Sequence, residues 1–231
     1  MKGEKMKLFL QKLKRAMLIV LVFAMLAPST NVMAATQRQK AITAYKRYLA
    51  QNKITLAGEM VKSSETIFAL SYIDNNNIPE LVVQKRLQGT NHGAFAVFTY
   101  TNGKIIRVMN GNIYEGFRGY YAKTGVIKTR DYPPMGKGIK YTEFFSRLEG
   151  VKTITLLTRN HSLGIHDEPY CYYRTGRYDR TKTAIREDYG DLKPATASKF
   201  YKLLKEVTKS KKMTAFKFYN NTSANRKKYC K

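Results

Sequence analysis

Acidic residues are scarce in this chain: 16 Asp and Glu stand against 42 Lys and Arg in 231 residues, a formal net charge of +26. Glycoside hydrolysis needs two carboxylates held roughly 5 to 10 Å apart, and a few scattered acids give no reason to choose any two. Catalytic motifs are missing as well. There is no G-x-S-x-G elbow, H-E-x-x-H helix, phosphate-binding loop or dinucleotide fingerprint, so no motif assigns a chemistry. Tryptophan is absent and cysteine occurs only twice. The single long apolar run lies near the N-terminus, which excludes a polytopic membrane protein. What is present is core material: 43% apolar and 12% aromatic residues, more than a disordered basic tail protein carries.

The first 34 residues read as an address. Lys2, Lys5, Lys7, Lys12, Lys14 and Arg15 precede a 12-residue apolar run from Ala16 to Ala27, then Pro28 and small residues ending in Ala34 and Ala35. This is the three-part layout of a secretory signal peptide. A spanning helix needs roughly 20 apolar residues, so an uncleaved anchor is the alternative rather than the first reading. Cleavage is expected after Ala34, leaving residues 35–231 as one exported domain. No cysteine lies near the cut, so lipid attachment has no acceptor. Removing six basic residues and one acid leaves 36 and 15, a net of +21 intrinsic to the exported part. Nearly half of that excess, +10, falls between Lys199 and Lys231, with 11 basic residues and one acid, Glu206.

Periodicity then gives a fold class. From Thr36 to Asn52, Ile42, Tyr45 and Leu49 recur at helical steps beside Ala41 and Tyr48, which predicts an amphipathic helix. A polar linker follows, and after it the period changes. IFALSYI, ELVVQ, AFAVFTY, KIIRVM, GYYAK, GVIKTR, IKYTEFFSRL, VKTITLLTR and PYCYYR are short, β-branched or aromatic, and separated by Asn, Gly and Pro. Asn102-Gly103 is the strongest hairpin signal among them. Strands so closely spaced leave no room for crossover helices, so the sheet is expected to be antiparallel. Helical spacing returns at Phe200, Leu203, Leu204 and Val207, with Thr196 as a cap, before a strand-like MTAFKFY and a short polar segment opening at Thr222. The expectation is an α+β fold, an antiparallel meander flanked by an N-terminal and a C-terminal helix.

The most specific local pattern is YIDNNNIPELVV, Tyr72 to Val83. It resembles the D-x-D-x-D-G-x-x-E/D loop of integrin-type FG-GAP repeats. It also resembles the "DIDGDGIPEL" segment of secreted, mostly uncharacterised proteins of Gram-positive anaerobic bacteria, which share a following Y-x-x-G-K hairpin, here Tyr100 to Lys104. In calcium-binding versions alternate oxygens converge on the ion around a tight turn. The resemblance maps Asp74 to the third position, Asn76 to the fifth, Asn77 to the turn, Ile78 to the backbone-carbonyl position and Glu80 to the ninth. Tyr72 at the first position supplies no carboxylate and only Asp74 and Glu80 carry charge. The loop is therefore expected to be a structural turn, with a degenerate calcium site formed by Asp74, Asn76, Ile78 and Glu80 as the alternative and calcium as the one cofactor the sequence suggests.

Other candidates are weaker. His161, His166, Asp167 and Glu168 cluster within eight residues, but H-x4-H matches no recurrent zinc spacing, so a polar loop is expected; His92 stands alone. Cys171 and Cys230, both exported, are expected to form a disulfide, two reduced thiols being the alternative. Tyr170, Tyr172, Tyr173 and Tyr178 beside Arg174, Arg177 and Arg180 could serve as stacking platforms, though strand aromatics are more often core. The basic excess attracts polyanions. Lys202, Lys205, Lys209, Lys211, Lys212, Lys217, Arg226, Lys227, Lys228 and Lys231 are expected to form one continuous patch. The sequence thus points to a secreted, non-catalytic binding protein for an anionic cell-wall polymer or polysaccharide, binding nucleic acid only non-specifically. The alternatives are a secreted enzyme acting on glycans or cell wall, and a structural module with a degenerate calcium loop.

Overall fold

A computed structural model describes residues 30–86, 93–113, 117–131, 139–162, 170–174 and 192–231. By its contacts the chain divides into two units, residues 1–37 and 38–231. Of the first, only the opening of helix α1 is described, and everything below concerns the second. The expected leader otherwise lies outside the described residues.

Helix α1 (Thr30–Leu49) begins six residues before the expected start and crosses the expected cleavage point after Ala34. Its apolar stripe behaves as the spacing requires: Ala41, Ile42, Tyr45 and Leu49 are all fully buried. The expected polar linker is instead a hairpin of β1 (Lys53–Leu56) and β2 (Glu59–Lys62). Ala57 and Gly58 take φ of 49° and 85°, the left-handed pair that closes a two-residue turn. Each strand shows only two residues to the core at most, too short a pattern to rise above the surrounding polar residues.

Two antiparallel meanders follow. The five-stranded sheet runs β13-β3-β4-β5-β6, from β3 (Thr66–Ser71), β4 (Glu80–Lys85), β5 (Gly93–Thr101), β6 (Lys104–Ile113) and the late β13 (Tyr219–Asn220). Asn102 and Gly103 close the β5–β6 hairpin with φ of 50° and 77°. The six-stranded sheet places β7 (Phe117–Tyr121), β8 (Val126–Asp131), β9 (Ile139–Glu149), β10 (Lys152–Ser162), β11 (Tyr170–Arg174) and β12 (Leu192–Ala195) side by side in chain order. The fold is α+β and antiparallel, with helices at both ends. Where one sheet was expected there are two large ones besides the β1–β2 hairpin, because so many twisted strands bury little when continued edge to edge and far more when stacked.

The stack has four layers. Helix α1 and the β1–β2 hairpin cover one face of the five-stranded sheet, against Phe68, Leu81, Val83, Ala96 and Phe98. The other face presents Ala69, Val82, Phe95 and Val97 to Ile127, Phe144 and Leu148 of the six-stranded sheet. Burial on both sides explains why β4 and β5 are near-continuous apolar runs rather than alternating ones. The outer face of the six-stranded sheet is covered by helix α2 (Ala197–Thr208), which sets Phe200 edge-on to Phe145 with ring centroids 5.8 Å apart. Thr196 caps α2 by accepting from Lys199 N.

Beyond α2 the chain straps the layers together. Thr214 exchanges two backbone hydrogen bonds with Tyr120 of β7, and Phe216 and Phe218 join the inter-sheet cluster. Only Tyr219 and Asn220 then pair as a strand, in place of the longer one expected from MTAFKFY. The polar segment after Thr222 is helix α3 (Ser223–Tyr229), capped by that threonine.

The expected disulfide does not form. Cys171 is buried under α2 while Cys230 is buried in the α1 cluster, so the two sheets lie between them. Burial pushes the Cys171 thiol up and the Cys230 thiol to about 11, which leaves both as core groups with little thiolate character. Among the described residues, no helix is long and apolar enough to cross a membrane.

Candidate functional site

The loop from Tyr72 to Glu80 joins β3 to β4 and is tied by its own side chains. Asp74 Oδ1 accepts from Asn76 N at 2.9 Å, its Oδ2 accepts from Asn76 Nδ2 at 2.9 Å, and Asn76 Oδ1 accepts from Ile78 N at 2.8 Å. Asn77 takes the left-handed turn position, φ 62°, as the resemblance implies. Glu80 turns inward and is 0% exposed. Its Oε2 accepts from Ile73 N at 2.8 Å and from Asp74 N at 3.4 Å, while its Oε1 and the buried Tyr45 hydroxyl have no hydrogen-bond partner. Burial, reinforced by the Asp74 charge, pushes the Glu80 carboxyl up to about 8, so it holds its proton at neutral pH. Burial also raises Asp74 and, with the Glu80 charge adding to it, Tyr45.

A hard cation such as calcium needs six to eight converging oxygens. Asp74 and Asn76 accept from the loop's own N–H groups and Glu80 faces the core beneath the loop, so ligation of an ion by this set requires Asp74 and Glu80 to reorient. Among the described residues no three His, Cys, Asp or Glu side chains gather as a metal group. Millimolar calcium is expected to leave the melting temperature of the protein unchanged. A rise measured by calorimetry would show that Asp74 and Glu80 reorient toward an ion.

The loop also reaches the other sheet. The Tyr72 carbonyl accepts from Lys123 N at 3.1 Å and the Ile73 carbonyl from Gly125 N at 2.8 Å, so it anchors the β7–β8 turn of the other sheet.

The C-terminal cations separate into two groups. On α2, Lys202 and Lys205 are exposed and, at about 100° per residue, stand about 60° apart on the side opposite Phe200, Leu204 and Val207, and the exposed Lys209 follows as the left-handed C-cap with φ 52°. Lys211 and Lys212 continue this group, Lys211 donating to the Ala122 carbonyl at 2.9 Å. Lys217, Lys227 and Lys228 belong to the opposite outer layer, with β13 and α3. There Lys217 and Lys228 lie over the rings of Tyr219 and Tyr229, which stack on each other at 3.5 Å. Arg226 leaves the set of candidate ligand residues. Its Nη1 donates to Asn221 Oδ1 at 2.8 Å and to the Leu49 carbonyl at 3.4 Å, closing the C-terminal end of α1 where a cation is favoured. The continuous patch expected from sequence is divided because Phe216 and Phe218 carry the chain through the inter-sheet core.

A second basic surface lies on the outer face of the six-stranded sheet. Arg130, Glu143 and Arg159 are cross-strand neighbours on β8, β9 and β10, and Lys128, Phe145 and Leu157 form the next row. Glu143 Oε1 receives Lys128 Nζ at 2.7 Å and Arg130 Nη2 at 3.3 Å. The guanidinium of Arg130 lies 4.0 Å from the Tyr141 ring centroid and that of Arg159 lies 5.6 Å from Tyr201 of α2. The signal for this row is the two-residue spacing Lys128/Arg130, which places both on one strand face. His161 falls on β10 opposite Tyr141, while His92, His166, Asp167, Glu168, Arg177, Tyr178 and Arg180 lie outside the described residues. Tyr170, Tyr172 and Tyr173 lie on β11, where Lys199 Nζ stands 4.0 Å over the Tyr173 ring.

No family model matches the chain, and no curated protein or solved structure matches it either.

Proposed function

We propose that the protein is a secreted, non-catalytic binding protein that associates with anionic polymers of the cell surface or its surroundings. The observation that carries this reading is the run of exposed lysines Lys202 and Lys205 on α2, Lys209 at its C-cap, and Lys211 and Lys212 beyond it. None of these five forms an ion pair among the described residues, so their field is directed outward. A leader of the secretory type adds the compartment, where anionic glycans and teichoic acids are the abundant polyanions. Nucleic acid would be held through the same field without sequence preference.

Heparin and purified teichoic acid test this. Binding is expected to weaken steeply with salt, and converting Lys202, Lys205 and Lys209 together to Gln should lower the slope of log K against log salt by about 2 to 3. Retention at high salt, or an unchanged slope in the triple variant, would overturn the proposal. The substitutions are on an exposed face, so the melting temperature should stay within a few degrees.

A further inference from the structure

We propose that the outer face of the six-stranded sheet, beside α2, binds a carboxylate-bearing sugar of an acidic glycan, with Arg159 as the group that takes the carboxylate. This rests on the reading of the protein as a binder of anionic polymers, and it adds the site and the chemical class.

The row on β8, β9 and β10 brings Lys128, Arg130 and Arg159 to one carboxylate, Glu143, which is nearly buried and already receives Lys128 and Arg130 on a single oxygen. The formal charges of these four side chains sum to +2. Arg159 differs from Lys128 and Arg130 in forming no ion pair among the described residues. Its Nε is also buried without a hydrogen-bond partner. A buried N–H left unpaired is costly, and a guanidinium presents a planar fork that matches a carboxylate in two parallel hydrogen bonds. The side chain is already oriented, since Tyr201 of α2 lies beside its guanidinium and the cross-strand pairing fixes its backbone. Binding there loses little rotamer freedom.

The surrounding rings favour a sugar over single-stranded nucleic acid. Successive bases need successive open ring faces. On this surface the Tyr141 ring is taken by Arg130 and the Tyr173 ring by Lys199, each cation 4.0 Å from the centroid. Tyr201, 44% exposed, carries the Arg159 guanidinium at the longer distance of 5.6 Å and is the most exposed of the three described rings. One half-exposed ring beside one guanidinium that forms no ion pair among the described residues suits a single sugar ring bearing one carboxylate.

The test titrates the purified full-length protein with oligogalacturonate and, separately, with a single-stranded DNA oligomer at one salt concentration. The Arg159 Nε–H resonance is followed by NMR alongside affinity. Arg159→Lys keeps the charge and loses the fork, so oligogalacturonate affinity should fall about tenfold or more while DNA affinity changes less than about twofold. The wild-type Nε–H resonance should move with oligogalacturonate. Equal affinities of R159K and wild type for oligogalacturonate would overturn the inference, as would equal weakening toward both ligands. If wild type binds oligogalacturonate and only the α2 lysine triple variant loses it, the inference fails while the proposed function stands. If wild type binds neither polymer, both fail. Should R159K not fold, the wild-type resonance decides alone, and its failure to move at saturation is the overturning result.

Discussion

Glu80→Ala is expected to destabilise the protein by roughly 3 to 5 kcal/mol, because it leaves the Ile73 and Asp74 N–H groups without an acceptor and opens a cavity beneath the loop. For a unit of this size the melting temperature should fall by on the order of 10 °C. Glu80→Gln should behave quite differently. The carboxyl, pushed to about 8 by burial and then by Asp74, carries a proton at neutral pH, so an amide reproduces its acceptor oxygen without adding a charge. Between the ordinary value of 4.5 and about 8 the folded chain holds a proton that the unfolded chain has released. The contribution of Glu80 to stability is therefore complete below 4.5 and is lost as pH rises through 8, at about 1.4 kcal/mol per pH unit within that window. Urea unfolding of wild type and E80Q at pH 5, 6.5 and 8 should show the variant gaining on wild type as pH rises. Parallel pH profiles would mean that Glu80 is ionised in the folded protein, and the neutral latch would have to be abandoned.

The second large effect is expected at Gly119. A Cβ there would stand 2.6 Å from the Thr214 carbonyl oxygen and 2.8 Å from Met213 Cγ. Met213 is 44% exposed and can swing away, but the Thr214 oxygen is backbone and accepts from Tyr120 N at 2.9 Å. Gly119→Ala must therefore lift the strap from β7 and strain both Tyr120–Thr214 hydrogen bonds, along with the seating of Phe216 against Tyr120, whose rings lie 4.9 Å apart. A loss of about 2 to 4 kcal/mol is expected, or roughly 5 to 10 °C in melting temperature. Hydrogen exchange should show the amide of Thr214 losing protection first. A variant as stable as wild type, with Thr214 still protected, would show that the strap does not depend on this close approach.

The sequence pattern selects Glu80 only as a calcium-loop position, and no pattern selects Gly119. The pattern Y-I-D-N-N-N-I-P-E-L marks a loop, and the Asx-type bonds of Asp74 and Asn76 are what such short polar side chains make locally. That Glu80 leaves the loop and becomes its buried acceptor depends on α1 covering the five-stranded sheet and bringing Tyr45 close to it. Gly119 sits in a strand, where a glycine can mean many things. Its requirement comes from Thr214, 95 residues later in the chain.

The basic residues divide the same way. The two sides of α2 were legible because helical spacing is local: Phe200, Leu203, Leu204 and Val207 define one and Lys202 and Lys205 the other, whereas the left-handed cap at Lys209 was not. Lys128 and Arg130 could be placed on one strand face from their spacing, but their meeting with Arg159 required the pairing of three strands, which loop length alone does not determine. Arg226 looked like its neighbours Lys227 and Lys228, and only the position of Leu49 assigned it to the end of α1.

By itself the sequence determined the elements whose reasons are local: the stripe of α1, the Asn102–Gly103 hairpin, the antiparallel connection of short strands, the Thr196 cap and the left-handed turn at Asn77. Those depend on a few adjacent residues and on steric rules that act over one turn. The tertiary structure alone decided that the strands stack as two sheets, that Cys171 and Cys230 lie on opposite sides of them, that the C-terminal cations part into two groups, and that Arg159 stands beside Tyr201 with its Nε unpaired. These follow from burying both faces of each sheet, a requirement on surfaces that come together only when distant segments pack.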